Sequence, residues 1–353
     1  MKIAYILPSL LNAGPIVVAN TLIKNIITKV TCIDVYYFDD KFGLDFPCNT
    51  IKLDINKPID FDNYDIIHSH GFRPDKYIHN WRDSIKRAKT VTTIHQNIFR
   101  DIYLNRGLIK AMIAYPIWIH YMTSKDCCVP ISNYIFELYA KKLPNIANTI
   151  YNGISITYSP SQANSEYVTQ IKQLKDKKLT VVATYANLIR RKGIDQLLNL
   201  GKRRPDLGFV IIGDGKEKDN LIKISKSISN RVVFLPYVQQ PYNYLSFCDI
   251  FAMPSRNEGF GLALVEGAVT ETPIVCSNIS VFNEIFDANS VSYFELEDLD
   301  SLSKAVDNAI KNKQLLIKNA YQRYLHMFSG DIMANMYLNL YQDLIRQSKR
   351  HSF

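Results

Sequence analysis

Glycine and proline are sparse: 14 of each in 353 residues, and scattered. That excludes a collagen-like repeat and a low-complexity segment. The six cysteines, Cys32, Cys48, Cys127, Cys128, Cys248 and Cys276, form no C-x-x-C pair. Cys128, Cys248 and Cys276 lie in apolar or strand-like runs, where a buried free thiol is the ordinary reading. Such usage points to a reduced, cytoplasmic chain rather than a secreted one. No apolar stretch reaches the ~18 residues of a membrane span. The nearest, Leu108–Met122, is broken by Lys110, Pro116 and His120. The opening run Ile3–Leu11 lacks an A-x-A-like cleavage site and reads as a buried first strand, not a signal peptide. No Cys/His cluster has ligand spacing, and Asp39-Asp40 before Lys41 reads as surface, so neither a metal nor another cofactor is expected.

What is present is apolar surface in quantity. The hydrophobic fraction is 47% and the charged fraction 21%, enough for a large core. Single cores stop growing near ~250–300 residues, so two domains are expected.

Basic residues outnumber acidic ones, 42 to 33, a formal net charge of +9. Such a balance attracts nucleic acid, anionic lipid or phosphorylated substrates. The excess is concentrated: Gly71–Lys125 holds ten Lys or Arg against three Asp, a local +7. Trp81, Phe99, Tyr103, Tyr115, Trp118 and Tyr121 are interleaved with it. The charge forms no nucleic-acid module, so nucleic acid is not an expected partner. An anionic membrane surface is a candidate one, with the chain peripheral on the inner face of the cell membrane.

Strand-like and helix-like stretches alternate. Ile3–Leu7, Ile33–Phe38, Asp65–His68, Thr90–Ile94 and a short Asn148–Tyr151 run read as strands, and Ile16–Ile27 has helical apolar spacing. The polar stretch Ser155–Lys178 reads as a connection with one short helix. A second series follows at Leu179–Ala183, Phe209–Ile212, Val232–Leu235, Ile250–Met253 and Ile274–Cys276, and the chain from Leu299 onward is helical in pattern. The expectation is an α/β protein of two doubly wound, Rossmann-like domains, residues 1–165 and 170–331. A ligand cleft would lie at the carboxyl ends of their strands.

The loops after those strands are where chemistry is sought. Leu11–Pro15 places Gly14 and Pro15 at a helix start, whose amides suit an anion or an ordinary turn equally well. It is not a G-x-G-x-x-G fingerprint, which weighs against a nicotinamide site. Ala186–Gly193 carries Arg190, Arg191 and Lys192 at a strand-to-helix junction, a pattern for diphosphate or for plain surface. Gly213-Asp214-Gly215-Lys216 is a tight turn and says little alone. Pro254–Glu266 says most. Glu258 sits in a glycine-rich loop, Phe260 and Gly261 open a helix, and Glu266 lies beyond the first turn. Two carboxylates there would address different parts of one extended ligand. Among the histidines, His95 ends one strand and His68 and His70 end another, each a hydrogen bonder, a base or a supporting residue.

These residues resemble the retaining glycosyltransferases of family four, which have the GT-B architecture. Asp65-Ile66-Ile67-His68-Ser69-His70 is similar to that family's D-x-x-H-x-H. Thr93-Ile94-His95 matches its histidine site, and Tyr151-Asn152-Gly153-Ile154 its segment before the linker. Lys192-Gly193 resembles the end of G-R-L-x-x-x-K-G, and Pro254–Glu266 matches P-S-x-x-E-G-F-G-x-x-x-x-E. Three positions depart from it. Ala186-Asn187 stands for Gly-Arg, Ser155 for Asp, and His95-Gln96 for His-Asp.

The resemblance implies retaining transfer of a sugar from a UDP- or GDP-linked donor to a glycan, lipid-linked or protein acceptor, in bacterial surface-glycan assembly. Glu266 would bind ribose hydroxyls and Glu258 a donor-sugar hydroxyl. The Phe260 and Gly261 amides would meet the sugar, with Leu262 near the diphosphate. Lys192, with Arg191 or Arg190 in place of the arginine missing at Asn187, would neutralise the leaving diphosphate. Gly14 would let its loop close over the phosphates, His95 would contact the transferred sugar, and Leu235–Tyr237 would border the base, with Tyr237 in that edge. Residues 332–353 would form a helix packing back on the first domain, as the apolar spacing of Ile332–Ile345 permits. A sugar-nucleotide epimerase or hydrolase of the same fold, and a non-catalytic nucleotide-sugar binder, remain open at this point.

Overall fold

Apolar runs that alternate with helix-forming stretches fold, in a computed structural model, into two parallel six-stranded sheets with helices around them. Residues 1–350 are described. They divide into one unit of residues 1–155 with 327–350 and a second of residues 156–326.

The first unit contains β1 (Lys2–Leu10), β2 (Cys32–Phe42), β3 (Asn49–Lys52), β4 (Ile66–His70), β5 (Lys89–Ile94) and β6 (Cys127–Pro130), in the order β3-β2-β1-β4-β5-β6. Its helices include α1 (Gly14–Ile26), α2 (Phe72–Asn80), α3 (Ile98–Arg106), α4 (Leu108–Thr123) and α5 (Asn133–Tyr139). The run Ile3–Leu7 is fully buried in β1, as a central parallel strand covered on both faces must be.

The second unit begins with α6 (Ser165–Asp176). It continues through β7 (Thr180–Tyr185), α7 (Ile194–Arg203), β8 (Leu207–Ile212), α8 (Lys218–Ser225), β9 (Val232–Leu235), β10 (Ile250–Met253), α9 (Leu262–Val269), β11 (Ile274–Ser277) and β12 (Ser292–Phe294). Its order, β12-β11-β10-β7-β8-β9, is that of the first sheet read from the other edge. Each sheet reverses direction of growth at its first strand, the switch point where such folds collect ligand-binding loops.

Three strands escape the apolar-run reading. β3 is an exposed edge with no buried residue, and β6 and β12 are only a few residues long. Asn148–Tyr151 is not a strand. The chain there makes a single bridge from Ile146 to Cys128, then only an Ile150 amide bond to the Pro130 carbonyl (3.1 Å), so no ladder extends beyond β6. The units meet in sequence at 155/156, earlier than residue 165. Residues 156–164 are held by the second unit: the Ser159 amide donates to Asn243 Oδ1 (2.9 Å) and the Asn164 amide to Tyr244 Oη (3.0 Å). Asn164 also caps α6.

The last helix, Gly330–Arg350, packs against α1 in the first unit. Residues 351–353, included in the helix expected over 332–353, lie outside the described residues. Its buried tyrosines reach into the sheet. Tyr341 Oη lies 2.7 Å from His68 Nδ1 and 3.2 Å from Tyr5 Oη, while Tyr337 Oη lies 2.8 Å from Thr93 Oγ1. Thr93 Oγ1 in turn lies 2.8 Å from His68 Nε2, so both imidazole nitrogens of His68 are occupied.

Tyr341→Phe leaves a buried imidazole nitrogen without its partner, an omission that costs about 1–3 kcal/mol. Urea unfolding is expected to show a loss of that size, whereas Tyr321→Phe on an exposed helix face changes stability by less than about 0.5 kcal/mol.

Candidate functional site

Strands β7 and β10 are hydrogen-bonded neighbours, so the loops that leave their carboxyl ends emerge side by side. The first loop closes with a tight helical turn, Arg190–Lys192, that stops at Gly193. Gly193 has φ +65°, and a Cβ there would collide with the Pro254 carbonyl of the second loop. Only glycine fits both requirements.

That approach brings the basic turn onto Glu258. Lys192 Nζ lies 2.6 Å from one carboxylate oxygen and Arg191 Nη1 lies 3.2 Å from the other. The Ser255 hydroxyl donates to the first oxygen at 2.8 Å. The Glu258 side chain is 7% exposed. Burial pushes its carboxyl upward, but the charges of Lys192 and Arg191 and the hydrogen bonds from Lys192 and Ser255 outweigh burial and hold it below the ordinary value. Glu258 is therefore a buried anion at neutral pH.

Glu266 lives differently. It is half-buried on α9, and Tyr185 Oη donates to its Oε2 at 2.9 Å. Burial raises its carboxyl above the ordinary value, only partly opposed by Tyr185 and by the charge of Lys192. Tyr185 is itself fixed by stacking on Phe251 at 4.8 Å. Between the two glutamates α9 starts at Leu262, one residue later than a helix opened by Gly261. Gly261 is the N-cap with φ +97°, and a Cβ on it would press on the Phe282 ring at 2.7 Å. No side chain caps this start; the Leu264 amide turns back to the Gly261 carbonyl (2.9 Å), which leaves those of Leu262 and Ala263 for a ligand oxygen. Phe260 fills the core beneath it with a buried ring.

Arg256 ties the two loops together. Its guanidinium forks onto Asp195 (2.8 and 2.9 Å), reaches Glu297 (2.5 Å) and donates to the Arg190 carbonyl (2.8 Å), while its amide donates to the Arg191 carbonyl (2.8 Å). The Gly213–Lys216 turn supports the same loop: the Leu188 amide donates to the Asp214 carbonyl at 2.8 Å.

Of the residues singled out in this unit, Glu258, Lys192 and Arg191 form one cluster, with Glu266, Gly261 and Leu262 on the adjoining helix start. Arg190 is exposed and contributes its carbonyl rather than its charge. Asn187 is exposed beside Gly215 and is not among the partners of Glu258. Tyr237 is 60% exposed beyond β9. Sequence reasoning missed Tyr185 and the tether of Arg256 to Asp195. The signal for Tyr185 was its place at the end of β7, one polar aromatic closing an apolar strand.

In the first unit His95 follows β5 and is half-buried. Its Nε2 lies 2.8 Å from His70 Nδ1, and the His70 ring is 4.4 Å from that of His68. Burial pushes the imidazoles of His68 and His95 down to about 3, and burial with the neighbouring histidines pushes His70 well below 6.5. All three are neutral near pH 7. His95, Gln96 and Pro15 border a pocket of about 60 Å³ with Asp75 and Trp118, and exposed Gly14 precedes Pro15 at the start of α1. Asp75, unremarked in the sequence, is buried and takes hydrogen bonds from Ser69 (2.6 Å) and Trp118 (2.7 Å). Among the described residues no group of three or more His, Cys, Asp or Glu is placed to hold a metal ion.

Comparison with known proteins follows from this geometry. Residues 168–323 match the family described as glycosyl transferases group 1. The chain is 31% identical to the O-antigen biosynthesis glycosyltransferase WclY of Escherichia coli, over 98% of this chain and 99% of that one. Among solved structures it is similar to Anabaena HepE in complex with UDP and glucose (TM-score 0.76, 16% identity, 97% of this chain and 100% of that one). It is also similar to sucrose-phosphate synthase from Thermosynechococcus elongatus (TM-score 0.79, 16% identity, 98% and 99%). These structural likenesses establish the α/β fold as the GT-B type with two Rossmann-like domains.

The neutral histidines carry a pH signature. Unfolded imidazoles bind protons below about 6.5 and the folded ones do not, so the unfolded state holds more protons in that window. Stability is expected to be full above pH 6.5 and to fall toward pH 3, by up to about 1.4 kcal/mol per pH unit for each histidine. Urea midpoints measured across that range will show it. His70→Gln should flatten the slope, and an unchanged slope would mean that folded His70 already carries its proton.

Proposed function

The chain belongs to the glycosyl transferases of group 1, and on that premise we propose that it transfers a sugar, with retention, from a UDP- or GDP-linked donor to an acceptor hydroxyl in the assembly of a bacterial surface glycan. The surface-glycan part is supported by the O-antigen role named for the E. coli relative, and a uridine donor by the UDP and glucose held by HepE. The reading is of a cytoplasmic enzyme, supported by six cysteines that are all free thiols. The observation that carries the proposal is the cluster of Lys192, Arg191 and Glu258 on adjacent strand ends, beside the uncapped start of α9.

Two cations against one carboxylate leave the cluster with a net charge of +1. A diphosphate meets that charge and the amides of the helix start. Glu266, with one oxygen anchored by Tyr185, accepts from the ribose hydroxyls. Glu258, already accepting from three donors, orients a hydroxyl of the donor sugar and is no nucleophile. The acceptor oxygen attacks the anomeric carbon on the face the diphosphate leaves. The bond from that carbon to the phosphate oxygen breaks, its electron pair departs with the phosphate, and a phosphate oxygen takes the acceptor's proton. Lys192 and Arg191 stabilise the charge that develops there. His95 enters as a neutral hydrogen-bonding group for a sugar hydroxyl. Its depressed basicity keeps it from adding charge.

Calorimetry and mass spectrometry with a panel of UDP- and GDP-sugars test this. One donor should bind and slowly release its nucleoside diphosphate. Glu266→Ala should weaken nucleotide binding about tenfold or more by removing a charge-assisted acceptor. Glu258→Gln should leave nucleoside diphosphate binding as tight or tighter, because the cluster rises to +2, while turnover falls at least about a hundredfold. A chain that binds neither UDP nor GDP does not have this function.

A further inference from the structure

Helix α4 leaves large apolar side chains in solvent. Ile109, Met112, Ile113 and Ile117 recur at helical spacing, and they are 75, 63, 59 and 40% exposed. Ala111 and Met122 are the residues of this helix that are fully buried. The preceding helix, α3, adds Tyr103 and Leu104, about half-exposed, across the Gly107 turn. Large apolar side chains thus form one continuous solvent-facing patch on an α3–α4 hairpin, the feature that marks an interaction surface.

The fully exposed charges of the hairpin have one sign. Arg100, Arg106 and Lys110 are exposed, and Leu108–Thr123 contains no Asp or Glu. The acid of α3, Asp101, is half-buried and accepts from Gln96 Nε2 at 3.0 Å. A helix of this length spans about 24 Å, and no helix among the described residues is long and apolar enough to cross a membrane. Exposed apolar side chains bordered by basic ones, on a helix that does not span, can enter a bilayer interface while the cations meet its headgroups.

We propose that the α3–α4 hairpin docks the protein on an anionic phospholipid surface. Ile109, Met112, Ile113 and Leu104 enter the acyl boundary, and Arg100, Arg106 and Lys110 meet lipid phosphates. Charge decides between this occupant and a second copy of the chain. In a two-fold interface the patch would pack on its own copy, bringing Arg106 and Lys110 of both copies into one interface to which Leu108–Thr123 contributes no acid. Phosphate headgroups complement them.

The test is sedimentation of the full chain with vesicles of phosphatidylglycerol and phosphatidylethanolamine, against vesicles of phosphatidylcholine alone. Binding is expected to the first, at least about tenfold weaker to the second, and weaker as ionic strength rises. Ile109→Asp with Ile113→Asp should reduce partitioning at least about tenfold without lowering the melting temperature, because both side chains are exposed. Arg106→Ser with Lys110→Ser should reduce it about fivefold per charge, independently of the apolar pair. Absence of binding, binding indifferent to lipid charge, or binding untouched by either double substitution overturns the proposal. So does a concentration-dependent dimer, in analytical ultracentrifugation, that Ile109→Asp with Ile113→Asp dissolves.

Discussion

Burying the carboxylate of Glu258 is the constraint from which the second unit's site follows. A lone carboxylate taken from water would protonate or unfold its surroundings. Here three donors compensate it: Lys192, Arg191 and the Ser255 hydroxyl. Each must be delivered with its backbone in place. The basic turn has to stop at Gly193 in a left-handed conformation so that it can lie against Pro254. Arg256, joined to both loops and to Asp195 and Glu297, keeps the two strand ends from separating. Glu266, in the same short segment, has one hydroxyl donor and a raised basicity. Two carboxylates are thus set apart by their surroundings, one locked as an ion and one left with acceptor capacity for hydroxyls.

The first unit handles polarity in the opposite way. His68, His70 and His95 are in ring contact and hydrogen-bonded but carry no charge near neutral pH, because burial opposes each imidazolium. His68 is a structural peg: one nitrogen meets the C-terminal helix through Tyr341 and the other meets β5 through Thr93. His70 hands a single hydrogen bond on to His95, so the tautomer of the outer histidine is coupled to that of the buried one. Positive charge fit for a diphosphate therefore resides in the second unit's cluster, while the first unit presents neutral groups suited to hydroxyls.

Much of this was legible in the sequence, for a physical reason. Central parallel strands are buried on both faces, so Ile3–Leu7 of β1, β8 and β10 appear as apolar runs. The turn glycines and the acidic, basic and aromatic residues of Pro254–Glu266 are dictated by local geometry, and local geometry is written locally. Edge strands are not: β3 is wholly exposed and has no apolar signature. Asn148–Tyr151 has the composition of a strand but no partner to pair with. The tethers were equally hidden. Arg256 reads as one more surface charge until Asp195 and Glu297, far away in sequence, close around it. Asn187 stands at the position where the resemblance expects an arginine, yet the arginine that reaches the carboxylate, beside Lys192, is Arg191, delivered by the course of the Arg190–Lys192 turn.

The same reasoning isolates α4. Elsewhere composition, spacing and burial agree: α7 hides Ile194, Leu197 and Leu198, and α1 hides Ile16, Val18 and Leu22. A sequence that specifies its fold by such agreement departs from it where another demand intervenes. In α4 apolar residues run round the helix: Ala111 and Met122 face the core, while Ile109, Met112, Ile113 and Ile117 face solvent with basic side chains at their border. Random drift would scatter exposed apolar residues singly. A stripe held over more than two turns, beside an adjoining apolar edge from α3 and without a fully exposed acid, has the pattern of a core whose other half lies outside the chain.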